Sequence, residues 1–412
     1  MMQAYILNSD KLISPFMRPA REMRIHNVSL GDRQTSAFKA LGCRVERIDT
    51  LAEIDKLPAL VVHDDLFLTA AAAKKFLQLA RKEGGNRQAA LECSLLTEHM
   101  VPALQGPQVA GKDQTNFRVY DSYYIEQLDA SRPLQMQSEL LPIPYGQRTS
   151  GYRTSRQFEE SGRMFVPMST VFMMPVRHWA AVLAANLAGM PGFFLQTIKR
   201  HWLQAGMLPL VAAIRAHGLS PAHWRSKSYL AGPRCRIAPS AHVETSILGR
   251  RVKVAPHAVI RNSVLGDRVL VREGALVEGC SLGDDVIVEA GSRLRGSVAE
   301  EGACIASRFI QLSVFGRDSV VCPESGTTDF VIRGTVKIDV DGKKISSGSR
   351  YLGCCVGDGA FLGPNVHLVG GVEIPNGCQL IPNPRGMVTD ANTGIPSHLL
   401  RVDKGRSRRR AA

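Results

Sequence analysis

Along the last two fifths of the chain, apolar residues stand two positions apart, and the pattern returns every 17 residues. Each copy opens with Leu-Gly and places a valine four and six residues after the leucine, at Leu248, Leu265 and Leu282 with Val252, Val254, Val269, Val271, Val286 and Val288. A repeat this short cannot bury its own apolar face, so neighbouring copies have to stack. Alternating apolar residues with glycine and charge at the bends are typical of short strands. The pattern predicts a β-solenoid.

These copies resemble the repeats of hexapeptide-repeat transferases, and so do Val356-Gly-Asp-Gly-Ala-Phe-Leu362 and Ile374-Pro-Asn-Gly-Cys-Gln-Leu380 further on. The resemblance covers about residues 235–390. It implies a C-terminal left-handed parallel β-helix with three sides. The handedness is implied by the resemblance alone, because ordinary parallel crossovers are right-handed.

The first 90 residues alternate strand and helix patterns. Strands are predicted at 4–7, 43–48 and 60–62, and helices at 33–41 and 70–81. Gly42 and Gly84-Gly85 are typical helix stops, and Thr69 is a typical N-cap. Alternation at this spacing predicts an α/β layer with a mostly parallel sheet.

The order of these elements, with the segment VVHDDLFLT at residues 61–69, resembles the start of sugar-phosphate nucleotidyltransferases. The two resemblances together match the architecture of the bifunctional glucosamine-1-phosphate acetyltransferase and N-acetylglucosamine-1-phosphate uridylyltransferase family. That family wraps the triphosphate with a glycine-rich loop, whereas residues 8–18 here contain no glycine and residues 19–24 no lysine. If the N-terminal domain is active, the resemblance implies Mg²⁺ at Asp64 and Asp65. A degenerate loop predicts a nucleotidyltransferase-like fold without its reaction.

Between the two patterned regions, the stretch 166–218 is apolar with helical spacing. Its interpretation is either a set of helices packed between domains, or an arm that contacts a membrane surface or partner through Lys199, Arg200 and His201. The Gly189-Met-Pro-Gly192 segment interrupts the longest uncharged run and argues against a membrane-spanning helix.

Within the solenoid, residues 335–345 alternate around Asp341-Gly342, which predicts a hairpin excursion. The predicted organisation has four parts: an α/β nucleotidyltransferase-like domain at 1–160, a helical connector at 161–228, the hexapeptide β-helix at 229–400 with the hairpin insertion at 324–350, and a basic disordered tail at 401–412.

A formal net charge of +14 favours anionic partners such as nucleotides, coenzyme A, sugar phosphates or acidic lipids. The arginine-rich tail has no interleaved aromatic residues, so a specific nucleic-acid partner is not expected. The nine cysteines include no CxxC pair, and no signal-peptide pattern begins the chain, so a reduced cytoplasmic location is expected.

Acyl transfer from a thioester needs a base near neutral pKa, and histidine supplies it. The resemblance to hexapeptide acyltransferases implies one such histidine on a coil. Of His242, His257 and His367, the last follows the hairpin excursion and is the preferred base, with Asn365 as an orienting or oxyanion neighbour. The same resemblance implies basic residues on the phosphates of coenzyme A, here Lys343, Lys344 and Arg350.

The function expected first is acyl transfer, from acetyl-CoA or another acyl-CoA, to a sugar or sugar nucleotide in polysaccharide biosynthesis, by a homotrimer. The second is a divergent sugar-1-phosphate nucleotidyltransferase that uses Asp64 and Asp65. The third is a non-catalytic scaffold or regulator that binds a nucleotide sugar. Weak contact with a membrane surface is compatible with each.

Overall fold

The computed structural model describes residues 2–99, 101–111, 115–216 and 224–382. The predicted basic tail lies outside these described residues, as does the last part of the predicted β-helix domain.

The N-terminal domain is built on one seven-stranded sheet. Six of its strands lie in the order Glu139–Pro142, Arg87–Glu92, Asn116–Ile125, Ala59–His63, Gln3–Leu7 and Arg44–Ile48. The seventh, Gln108–Ala110, pairs antiparallel with the first residues of Asn116–Ile125. The three predicted strands are present and parallel. The sheet as a whole is mixed rather than mostly parallel, because Asn116–Ile125 runs antiparallel to both of its main neighbours.

Three helices belong to this domain: α1 (Leu30–Ala40), α2 (Ala70–Glu83) and α3 (Leu95–His99). The Thr69 hydroxyl accepts a hydrogen bond from the Ala72 amide at 3.3 Å, which caps α2 as predicted. Gly84 ends the same helix with a φ of +68°, a conformation that favours glycine. Short 3₁₀ turns lie at Ala20–Glu22, Leu51–Glu53, Pro102–Leu104 and Leu134–Gln137.

The C-terminal region is a stack of eight parallel coils with three faces, consistent with a β-helix. The first face contains Tyr229–Ala231, Ser246–Leu248, Val264–Leu265, Ser281–Leu282, Val298–Ala299, Val314–Phe315, Cys355–Val356 and Glu373–Ile374. The second face contains Arg236–Ile237, Lys253–Val254, Leu270–Val271, Ile287–Val288, Cys304–Ile305, Val320–Val321, Phe361–Leu362 and Gln379–Leu380. The third face contains His242–Glu244, Val259–Arg261, Leu276–Glu278, Arg293–Arg295 and Ile310–Gln311, followed by the pair Gly326–Thr327 and His367–Leu368.

Burial in the stack follows the two-residue spacing seen in the sequence. The repeat valines point inward and are fully or almost fully buried, as in Val252, Val269 and Val286. Strand partners in the first coils are 17 residues apart, as for Val254 and Val271, and the step changes to 16 between Val298 and Val314. The prediction of stacked parallel strands is therefore confirmed.

Glycine stands where each coil turns off the first face, because the next coil passes too close for a side chain. A Cβ atom on Gly249 would lie 2.5 Å from the backbone of Gly266. Two of the eight coils depart from this rule, since the last coil has Pro375 at the glycine position and the fifth has Glu300. The Glu300 carboxylate turns toward the N-terminal domain, where it pairs with Arg18.

The region between the domains starts as strand and becomes helical later than predicted. Arg148–Arg153 pairs with Arg163–Met168, and Met173–Pro175 pairs with Leu66–Leu68. The helices are α4 (Trp179–Arg200), α5 (Trp202–Gly206) and α6 (Leu208–Ala216).

Helix α4 runs through Gly189–Gly192, where the sequence predicted an interruption. A Cβ on Gly189 would lie 2.6 Å from the Phe67 ring, so this glycine is explained by packing. Among the described residues, α4 is the one helix long and apolar enough to cross a membrane, and half of its most apolar stretch is buried inside the protein. Its first half, Trp179–Met190, is almost wholly buried, which is the behaviour of a core helix.

The first face of the solenoid is covered by the N-terminal domain. Phe16, Met23 and Trp179 share one apolar cluster with Val314 and Cys355 of the coils. The predicted hairpin is confirmed, since Lys337–Val340 pairs with Lys343–Ser346 around Asp341-Gly342. Two further short pairs, Leu12–Ile13 with Arg18–Pro19 and Arg24–Ile25 with Val28–Ser29, shape the loop that meets the first face.

Candidate functional site

The strand-end carboxylates Asp64 and Asp65 are both buried and both face arginines. Asp64 accepts hydrogen bonds from the Ser9 amide at 2.9 Å and from Arg21 at 3.3 Å. Asp65 accepts one from Arg177 Nε at 2.6 Å, and the same guanidinium reaches Asp121 at 2.9 Å. The second Asp65 oxygen, Oδ1, is buried without a hydrogen-bond partner.

Charge neutralisation at this edge is therefore supplied by the protein itself. Burial works to raise the pKa of Asp121, but His63, Tyr123 and Arg177 outweigh it and hold that pKa below its usual value. Among the described residues, no group of three or more His, Cys, Asp or Glu side chains could hold a metal ion. The residues present do not fit a magnesium site well, because each carboxylate already has a cationic neighbour. Magnesium at Asp64 and Asp65 stays a prediction.

The segment in the place of the phosphate loop, residues 8–26, is a docking loop between the two domains. Ile13 and Phe16 are buried against the first face. The Ser14 hydroxyl donates to Glu373 Oε2 at 2.7 Å, and the Asn376 side chain donates to the Phe16 carbonyl oxygen at 3.1 Å. A loop packed against the coils in this way differs from the open glycine-rich loop that holds a triphosphate.

A buried charge cluster holds the docking loop at its centre. The Arg18 guanidinium pairs with Glu300 and lies 3.2 Å from Asp358. Glu300 is almost completely buried, and burial raises the pKa of its carboxyl despite the attraction of Arg18. The sequence carried one signal for this cluster, which is glutamate at a glycine position of the repeat.

A partly buried carboxylate, Glu373, joins the loop, the connector and the last coil. Trp179 Nε1 donates to it at 2.9 Å, and His178 Nε2 lies 3.0 Å from it. Burial works to raise the pKa of Glu373, but these donors and Ser14 outweigh it and hold that pKa below its usual value. Three segments far apart in the chain meet here, so no local pattern could have indicated the contact.

The three solenoid histidines occupy different surroundings. His242 lies 3.2 Å from Glu244 on the first coil. His257 is exposed on a turn with a φ of +60°. His367 is exposed on the third face beside Gly326 of the preceding coil, and its ring has no hydrogen bond to another part of the described chain. Asn365 is exposed at the turn two residues before it, with a φ of +61°.

The residues predicted to contact coenzyme A phosphates lie on or beside the hairpin. Lys343 is exposed, and Lys344 lies 3.6 Å from Asp339. Arg350 donates to the carbonyl oxygens of Phe158 and Ile332, each at 3.1 Å. The guanidinium of Arg350 therefore ties the hairpin Arg148–Met168 to the coils, whereas Lys343 and Lys344 are exposed to solvent, Lys344 beside Asp339.

No family model matches this chain, and no curated protein matches it. The fold combines a mixed α/β domain with a stack of parallel coils, and the docking loop of the first contacts the first face of the second.

Proposed function

We propose that this protein transfers an acyl group from acyl-CoA to a hydroxyl or amine of a sugar or sugar nucleotide, with His367 as the base. The observation that carries the proposal is the state of His367. It stands on a regular stack of coils, exposed to solvent and beside a glycine, without an intramolecular partner in the described residues. An imidazole in this state is available to a substrate.

In the proposed reaction, the imidazole takes the proton of the acceptor hydroxyl or amine as that group attacks the thioester carbon. The carbon–sulfur bond then breaks, and the protonated imidazole returns the proton to the leaving thiolate. Asn365 lies at the adjacent turn and supplies an amide donor for the oxyanion. Lys343 and Lys344 supply positive charge for the phosphates of coenzyme A.

We further propose that the coils wind left-handed and that the protein is a homotrimer. Left-handed winding follows the resemblance to hexapeptide-repeat proteins. The support for the trimer is the outward column of the second face, where five successive coils present Leu270, Ile287, Cys304, Val320 and Phe361. Each of these side chains remains partly exposed in one copy of the chain. A continuous apolar column on a regular face is suited to burial against further copies.

Nucleotidyl transfer is disfavoured by two features of the N-terminal domain. The loop that would hold the triphosphate is buried against the coils, and Asp64 and Asp65 are paired with arginines. We therefore assign the N-terminal domain an architectural or acceptor-binding role.

The test is release of free thiol from acetyl-CoA, measured against a panel of amino sugars, hydroxyl-bearing sugars and sugar nucleotides. His367→Asn is expected to lower turnover by about 10²–10⁴-fold, the usual contribution of general base catalysis. His257→Asn is the matched control, because it removes another exposed histidine and asparagine tolerates its left-handed turn. Equal loss in both variants, or full activity of His367→Asn, contradicts the assignment. No binding of coenzyme A to the wild type would favour the scaffold instead.

A further inference from the structure

Three consecutive coils place an arginine at the same turn, in a backbone conformation that disfavours it. Arg234, Arg251 and Arg268 follow the first face in coils one to three, with φ angles of +62°, +57° and +58°. Later coils fill this position with Asp285, Gly302, Asp318, Gly359 and Gly377, which are residue types that tolerate it. A left-handed residue other than glycine costs on the order of 1 kcal/mol. The chain therefore accepts this cost three times in succession.

The three side chains also repel one another. Neighbouring coils are about 4.8 Å apart, so the three arginines project from backbone positions one coil apart. Glycine at these positions would remove both the backbone strain and the like charge, so the arginines are better explained by a use of their side chains than by the needs of the fold. We name the four arginines at this turn, Arg234, Arg250, Arg251 and Arg268, the arginine corner.

A cavity of about 330 Å³ opens at the arginine corner, and Pro233 and Asp267 complete its lining. Two of the four guanidiniums are neutralised, since Arg250 lies 2.8 Å from Asp267 and Arg268 lies 2.7 Å from Asp285. Arg234 and Arg251 are exposed and make no ion pair with any part of the chain that the structure describes. The cavity therefore holds two positive charges that the protein leaves uncompensated.

The surroundings of the cavity increase its positive potential. A second cavity of about 350 Å³ shares Arg234 and is lined by Arg215 of α6. Arg236 and Lys253 begin the outward column of the second face beside it. Between residues 225 and 272 the chain has ten lysines and arginines but only two acidic residues. An anion approaching the first coils meets a field of one sign.

We propose that the arginine corner binds a ligand that carries two or more linked phosphate groups. Guanidinium groups pair with phosphate oxygens in bidentate geometry. Arginines on successive coils offer hydrogen-bond donors at several positions along the stack, which suits a chain of linked phosphates better than a single phosphate. The site is separate from the acyl-transfer centre, because His367 lies five coils away, or about 24 Å along the stack. The linked phosphates belong to a soluble diphosphate compound, and the test distinguishes this source from separate phosphate groups crowded on a membrane surface.

The test uses inorganic pyrophosphate and tripolyphosphate, with orthophosphate for comparison, in isothermal titration calorimetry on the full chain. The wild type is expected to bind one pyrophosphate per chain, more tightly than orthophosphate. Arg234→Gly with Arg251→Gly should weaken that binding at least tenfold. The same double variant should melt at an equal or higher temperature, because glycine relieves the left-handed turns. A double variant that remains stable but no longer binds pyrophosphate would show that the binding site, and not the fold, has been lost.

Asp318→Gly is the matched control, since it relieves the same turn three coils further on without removing a cation. In a parallel arm, sedimentation with phosphatidylcholine vesicles containing phosphatidylglycerol tests the membrane source. Vesicle binding that is lost in the double arginine variant, without binding of soluble pyrophosphate, assigns the site to a lipid surface. Binding of pyrophosphate and of vesicles that is unchanged in the double variant, or absent from the wild type, overturns the proposal.

Discussion

Replacing Arg18 by methionine should leave the buried carboxylate of Glu300 without its counter-ion. The Glu300 side chain is only 1% exposed, and Arg317 Nε, the other cation nearby, lies 3.7 Å from it, beyond hydrogen-bond distance. Breaking a buried ion pair by removing one partner costs about 3–5 kcal/mol. For a unit of 150–250 residues, each kcal/mol lowers the melting temperature by roughly 2–4 °C, so a decrease of roughly 6–20 °C is expected.

Differential scanning calorimetry of four proteins tests this reasoning. Arg18→Met with Glu300→Gln removes both charges, and it should recover more than half of the lost stability, because no unpaired charge remains. Lys11→Met removes an ion pair between the same domains, but its partners Lys11 and Asp341 are 40% and 77% exposed. That exposed control should cost at most about 1 kcal/mol. A double variant as unstable as Arg18→Met alone would refute the charge argument and would point to lost packing of the arginine stem.

Three further predictions concern the same fold. Burial raises the Glu300 pKa in the folded protein, so above about pH 4.5 the native state retains a proton that the unfolded chain has lost. The free energy of unfolding should therefore fall as pH rises above that value. Urea titrations across this range should show the fall in the wild type and not in Glu300→Gln. Gly249→Ala places a Cβ 2.5 Å from the backbone of the next coil and should lower the free energy of unfolding by about 1–3 kcal/mol or more. In the control Gly291→Ala, nothing lies within 4 Å of the new Cβ, so any loss of stability should reflect only the left-handed φ of +69°. Similar melting temperatures for the two variants would contradict the close-approach argument. Trp179→Phe keeps an aromatic ring at this position but removes the hydrogen bond to Glu373. The free energy of unfolding, measured in urea, should fall by about 1.5–3 kcal/mol. An unchanged midpoint would show that the indole N–H contributes nothing to stability.

The coils could be predicted from the sequence because every structural requirement of a solenoid is local. Inward valines, turn glycines and a 17-residue step are all visible within one copy and its neighbour. The three strands and two helices predicted in the first 90 residues followed for the same reason, whereas the outer strands of the sheet, Arg87–Glu92, Asn116–Ile125 and Glu139–Pro142 among them, were missed. Strand direction depends on which strands become neighbours, and that information is not local.

The contacts between the domains could not be predicted, because they depend on residues hundreds of positions apart. Nothing near Ser14 or Trp179 in the sequence indicates that both donate to Glu373. The candidate site shows the same division. Exposure of His367 on its face follows from the repeat, whereas the use of Arg350 to hold a neighbouring hairpin depends on where that hairpin docks. The left-handed arginines were readable in principle, since they occupy a position where other coils place glycine or aspartate.

The docking loop is synthesised long before the coils that it packs against, because translation begins at the N-terminus. Phe16 and Asn376, which hold one another at the interface, are 360 residues apart. At about 5–20 residues per second, roughly 18–72 s separate the synthesis of the loop from that of its seat on the last coil. During that interval the coil residues of the cluster that buries Ile13 and Phe16 have not been made, so the nascent N-terminal domain presents part of an apolar loop to chaperones until the coils are synthesised.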